Sequence, residues 1–130
     1  MRVEFTGPLW VDDWESEGAW VLLQDLTATI TEDDGTVILE CVRSAFVTDF
    51  CSVPRLPFVY DLFGNVARKA GALHDWHYQQ ASRPREWCDQ VLKAALIAQG
   101  VGEATAAAMH MAVRAFGGPY YGKEIKMQSP

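Results

Sequence analysis

A histidine, a carboxylic acid and a phenol crowd into the stretch Ala72-Leu73-His74-Asp75-Trp76-His77-Tyr78. Read as a helix, Ala67, Ala70, Leu73, His74 and Tyr78 share one face, because side chains three and four positions apart stack on one another. His74 and Tyr78 then point inward, and Asp75 lies about 100° around, at the edge of that face. Polar groups in such a half-buried patch are costly unless they satisfy one another or a ligand. The linker Ala81 to Pro84 is short, so a following helix must return antiparallel and bring Asp89, in its second turn, back to the level of His74. A carboxylate bonded to one imidazole nitrogen fixes the tautomer and frees the other nitrogen to take a proton from water or to bind a metal. His74, Asp89 and Tyr78 are therefore the candidate catalytic group. Asp75 is left as a cation ligand or a second acid, and Arg85, one turn before Asp89, can orient either carboxylate. A satisfied core network is the bland reading of the same residues, and the density of inward polar groups argues against it. His77 and His110 read as ordinary surface or packing residues.

A second polar segment, Phe46-Val47-Thr48-Asp49-Phe50-Cys51-Ser52-Val53-Pro54-Arg55, sets Thr, Asp, Ser and Arg among apolar residues at the end of an expected strand. It reads either as a well-capped turn, with Asp49 and Ser52 bonding local backbone, or as a second part of the site. In the latter case Asp49 is a metal or proton-relay partner of the His74–Asp75 pair, and Thr48 and Ser52 support it.

The elements that must hold these residues divide near residue 60. From Trp20 to Thr31 apolar and polar residues alternate with the period of a half-buried strand. Asp33-Asp34-Gly35 is a turn signal, and Thr36 to Val42 is the return strand of a hairpin. Arg2–Phe5 and Ser44–Thr48 read as further short strands, and Pro8–Gly18 as an irregular loop. Pro54, Pro57 and Gly64 punctuate the crossing to the helical half. Helices are expected from about Val66 to Gln80, from Pro84 to near Gly100, and from about Glu103 to the Gly117-Gly118-Pro119 stop. The third carries an apolar stripe of Thr105, Met109, Ala112, Val113 and Phe116, expected in the core. Strands followed by helices give an α+β class, one small antiparallel sheet backed by three helices. A single domain over 1–130 is expected, strand-rich over 1–58, helical over 65–118 and irregular over 119–130.

The 130-residue chain is 49% hydrophobic and 22% charged, a globular composition. A formal charge of -6 with scattered basic residues disfavours nucleic acid as a partner. No apolar stretch approaches the roughly 20 residues that span a bilayer, and the N-terminus has no secretory pattern, so synthesis and folding in a cytosol are expected. The three cysteines, Cys41, Cys51 and Cys88, include no CxxC pair, which argues against a disulfide framework and a thiolate zinc site and makes them small buried hydrophobes.

The ordered series Phe46 to Arg55, Ala72 to Tyr78, Arg85-Glu-Trp-Cys-Asp89 and Ala112-Val-Arg-Ala-Phe-Gly117 resembles the phage and prophage family catalogued as domain of unknown function 1353. Cys51 stands where alanine is expected, and Trp76-His77 fills a variable slot. The resemblance implies a viral origin, a host-cytoplasmic place of synthesis, and a place among structural or lysis-related genes. It supplies no chemistry. Locally, His74-Asp75-x-x-Tyr78 followed by a helix bearing Asp89 resembles the paired catalytic helices of phospholipases A2. That likeness implies His74 as base, Asp89 as its orienter, Asp75 as calcium ligand and Tyr78 as buttress. The disulfides and glycine-rich calcium loop of those enzymes are missing.

Two function readings follow. One is a phage-encoded, hydrolase-like protein in which a His74–Asp89 dyad and a divalent cation near Asp75, calcium or zinc, activate water against an ester or amide of lipid or cell wall. The other is a virion component, in a tail or its tip, that docks on other virion proteins and whose polar cluster is structural.

Overall fold

A computed structural model of the protein describes residues 1–14, 18–51 and 67–123. Ser52, the prolines and glycine of the crossing, Val66 and the tail beyond Lys123 lie outside the described residues. Among those described, six strands precede three helices: β1 (Arg2–Thr6), β2 (Val11–Asp13), β3 (Trp20–Leu22), β4 (Leu26–Thr31), β5 (Val37–Val42), β6 (Val47–Thr48), α1 (Arg68–Gln80), α2 (Arg85–Ala98) and α3 (Glu103–Phe116), with a short 3₁₀ turn over Gly118–Tyr120.

The strands form two antiparallel three-stranded sheets, ordered β1-β4-β5 and β2-β3-β6. The expected single sheet and the single alternating strand from Trp20 to Thr31 are thus corrected. The chain bends after Leu22, whose N–H and carbonyl bond Phe46 and Ala45, and Asp25 Oδ1 then accepts the Ser44 N–H. These bonds hand Trp20–Leu22 to one sheet and Leu26–Thr31 to the other. The Pro8–Gly18 loop is corrected too, since it contains β2, which pairs with β3 from Val11↔Leu22 to Asp13↔Trp20. The β4–β5 hairpin has the expected turn: Glu32 and Thr36 bond across it, and Gly35 supplies a φ of +89° that a side chain would resist. Ser44–Thr48 shortens to two strand residues because Ala45 turns left-handed, at φ +72°.

Period-2 burial puts Leu26, Ala28 and Ile30 of β4, with Val3 and Val42, against the helices. They meet Ala70 and Leu73 of α1, Val91, Leu92, Ala95 and Leu96 of α2, and Ala106, Met109 and Val113 of α3 in one core. The α3 stripe differs from the expected one. Met109 and Val113 are buried, but Thr105 and Phe116 face solvent, because the helix turns Ala106 inward instead. His77 packs inside, its Nε2 3.0 Å from Glu40 Oε1 on β5 and its ring edge-on to Trp87. The Ala67 side chain at the start of α1 provides no cap. The Gln99 side chain, just past the end of α2, accepts the N–H groups of Lys69 and Ala70 there instead.

Candidate functional site

The tight return between α1 and α2 does what the spacing requires. His74 Nε2 lies 2.9 Å from Asp89 Oδ1, and the Tyr78 hydroxyl donates to the same oxygen at 2.7 Å. His74 is 4% exposed and Asp89 0%. A carboxylate can only accept, so the imidazole proton sits on Nε2 and Nδ1 presents a lone pair. Burial alone would raise the Asp89 carboxyl. The hydrogen bonds from His74, Tyr78 and Arg114 outweigh it and hold the group below the usual carboxylate range. Burial likewise pushes His74 down, against the pull of Asp89, and so keeps the ring neutral. The Tyr78 phenol is raised, by burial and then by Asp89.

The free nitrogen of His74 faces sulfur. Cys51 Sγ lies 3.2 Å from Nδ1, a contact that the reading of Cys51 as a plain buried hydrophobe missed. Its signal was present in the sequence, since Cys51 lies two residues after Thr48-Asp49, but the thiol's direction depends on a backbone turn. Phe50 and Cys51 both adopt left-handed conformations, at φ +55° and +60°. For side-chain-bearing residues each costs about 1 kcal/mol or more. Two contacts hold the turn. Gly71 on α1 lets the Phe50 backbone approach so closely that a Cβ there would stand 2.7 Å from the Phe50 carbonyl carbon. Asp75 Oδ2 gathers three donors from the turn: the Thr48 hydroxyl at 2.6 Å and the N–H groups of Asp49 and Cys51, each at 3.2 Å. Thr48 Oγ1, fully buried, accepts the Phe50 N–H in return.

Thr48, Asp49 and Asp75 therefore converge with His74, Tyr78 and Asp89. Burial and the facing Asp49 carboxylate push the Asp75 carboxyl well above the usual range, although Thr48 and the Cys51 N–H pull the other way. Burial, then Asp75, Asp49 and Asp89, raises the Cys51 thiol well above its ordinary value. Cys51 Sγ, a His74 ring nitrogen and an Asp75 carboxylate oxygen lie within 4.8 Å of one another, close enough to hold one metal ion. Thiolate, imidazole and carboxylate are a zinc-type donor set, whereas calcium takes six to eight oxygens. The sequence argument against a thiolate zinc site rested on paired cysteines and did not anticipate a mixed one.

Arg85 does less for the carboxylates than expected. Its guanidinium bonds the Val113 and Arg114 carbonyls, at 3.1 and 3.2 Å, and so closes the C-terminal end of α3. It reaches Tyr78 Oη at 3.4 Å and Asp89 Oδ2 only at 3.6 Å. The close cation is Arg114, which sequence reasoning left out. Its Nη1 lies 2.9 Å from Asp89 Oδ2.

This is a small α+β protein whose helices and one strained turn enclose a buried imidazole–carboxylate network beside a thiol. The chain belongs to the family described as protein of unknown function (DUF1353), whose model matches residues 20–113. The matched span contains the whole cluster from Thr48 to Asp89 and stops just short of Arg114. A search of curated proteins and one of solved structures each found no match. Among the described residues no helix is long and apolar enough to cross a membrane.

Proposed function

We propose that the protein is a metal-dependent hydrolase whose ion is held by Cys51 Sγ, His74 Nδ1 and Asp75. The convergence of these three donors carries the reading, together with the second nitrogen of His74 being bonded to a carboxylate. Metal-bound histidines usually have that arrangement, which fixes the ring and strengthens it as a donor. Three protein ligands leave a coordination position for water, whose pKa zinc brings to about 7. The negative surroundings favour this reading over a metal-free thiol nucleophile. Asp75 and Asp49 oppose a lone Cys51 thiolate, whereas a cation offsets their charge and stabilises it. With both ring nitrogens engaged, His74 would act as ligand, and the Asp49 carboxylate that faces Asp75 would take the proton of the water. Zinc is preferred over calcium because of the sulfur and nitrogen donors. The substrate class we assign is an ester or amide of lipid or cell wall, and with it we propose an origin in a phage genome.

One observation favours a non-enzymatic virion component. Both oxygens of Asp89, the Tyr78 hydroxyl and His74 Nε2 all have partners inside the protein, as a structural network would. Titration of Co²⁺ and Zn²⁺ into wild type, Cys51→Ala and Asp75→Asn separates the two. Binding with a cobalt–thiolate charge-transfer band, lost in Cys51→Ala and weakened in Asp75→Asn, supports the metal centre. It then warrants assays on phospholipid and peptidoglycan. No binding by wild type sinks the metal reading and leaves the virion component.

A further inference from the structure

We infer that Arg114 is a positioning residue for this centre, holding Asp89 from a third helix so that His74 is aimed at Cys51. The inference rests on the metal reading of the site.

Asp89 meets its partners through two oxygens with different tasks. Oδ1 takes His74 Nε2 and the Tyr78 hydroxyl, both from α1. Oδ2 takes Arg114 Nη1 from α3 at 2.9 Å, and Arg85 Nη1 stands off at 3.6 Å. Arg85 cannot replace Arg114, because its nitrogens are engaged by the last carbonyls of α3. Removing Arg114 would leave one oxygen of a wholly buried carboxylate with that single long contact.

A carboxylate fixed at one oxygen can still turn about its Cβ–Cγ bond. Fixed at both, it presents Oδ1 to the imidazole in one direction, and the ring plane follows. That plane decides where Nδ1 points, and Nδ1 points at Cys51 Sγ, 3.2 Å away. The end of α3 helps in a second way. A Cβ at Gly117 would come within 2.7 Å of Tyr78 Oη, so glycine there leaves room for the phenol that shares Oδ1. Arg114, 35% exposed in its side chain, bonds the Asp89 carboxylate and so acts through it.

The test compares wild type, Arg114→Met, Arg114→Gln and Arg114→Lys by Co²⁺ titration, each first checked for folding by circular dichroism and thermal melting. Arg114→Met should bind Co²⁺ roughly 10–100-fold more weakly, as is usual when a group supporting a ligand is lost. Its charge-transfer band should shift, and Arg114→Lys should recover part of the affinity. Should Arg114→Met not fold, the comparison is read in Arg114→Gln, which keeps an N–H donor without the charge. Nitrogen-15 spectra of the His74 ring in metal-free protein give an independent readout. Wild type should show the Nε2–H tautomer alone and the neutral variants a mixture. A folded neutral variant with wild-type affinity and an unmixed tautomer overturns the role of Arg114. Failure of wild type to bind Co²⁺ overturns the metal reading instead, and the ring spectra then decide Arg114 by themselves.

Discussion

Cys51 and Asp75 are tied through the backbone: the Cys51 N–H donates to Asp75 Oδ2 at 3.2 Å, while the thiol of the same residue turns to His74 Nδ1. Thiol, ring and carboxylate are thereby set in register by one left-handed turn, and disturbing the turn should disturb all three. Its weakest point is Gly71. Alanine there would force its Cβ to within 2.7–2.9 Å of the Phe50 backbone, which cannot yield as a flexible side chain can. Gly71→Ala should cost about 1–3 kcal/mol, a typical overpacking penalty, in urea melts. It should also abolish Co²⁺ binding. A variant with wild-type stability would contradict the close approach.

Tyr78→Phe removes the 2.7 Å hydrogen bond to a charged, buried acceptor and little else. A loss of about 1.5–3 kcal/mol is expected from denaturant unfolding, the range for bonds to ionised groups. A change within error would show that Tyr78 is a packing residue.

His74 and Asp89 each withdraw stability as the solution is acidified, in two separate stages. His74 is depressed by burial, so the folded ring declines a proton that the unfolded chain accepts; stability is therefore lost as pH drops through about 6.5. His110, also lowered by burial, adds to that slope. Asp89 is held low in the fold, so its contribution is intact above about pH 3.9 and disappears as pH falls through its lower folded value. Urea midpoints between about pH 7 and pH 5 read the first stage, and His74→Gln should flatten it. Asp75, whose carboxyl is raised in the fold, acts in the opposite sense as pH falls. The His74 stage is therefore read as the difference between wild type and His74→Gln, and identical slopes in the two would rule out a buried neutral His74.

Glu40 ties β5 to α1 through His77, away from the three donors. Glu40→Gln should lower stability by about 0.5–1.5 kcal/mol and leave Co²⁺ affinity alone. Weaker binding in that variant would mean that the hairpin, too, helps to shape the centre.

Phe116 is 58% exposed, against the sequence expectation of a core position. Phe116→Ser should stay within about 0.5 kcal/mol of wild type in a thermal or urea melt, as exposed substitutions generally do. A loss of several times that would restore the expected stripe.

The α+β class, the three helices and the pairing of His74 with Asp89 were legible because they follow from local periodicity and one short linker. The bend that hands Trp20–Leu22 and Leu26–Thr31 to different sheets was not, since its bonds run to Ala45, Phe46 and Ser44, distant in sequence. Phe116 misled because apolar residues covered two adjoining strips of α3, and periodicity alone could not say which faced in. Cys51 and Arg114 escaped for a shared reason. One owes its place to two left-handed residues and the other to how α3 docks on α2, and spacing along a single helix reports neither.

Gln99 has a consequence for how the molecule opens. Its side chain, at the far end of α2, receives the N–H groups of Lys69 and Ala70 in the first turn of α1. The start of one helix is thus completed by the finish of the next. Fraying of either terminus releases the other, so these amides should exchange with deuterium at matching rates, as one cooperative unit instead of two independently breathing ends.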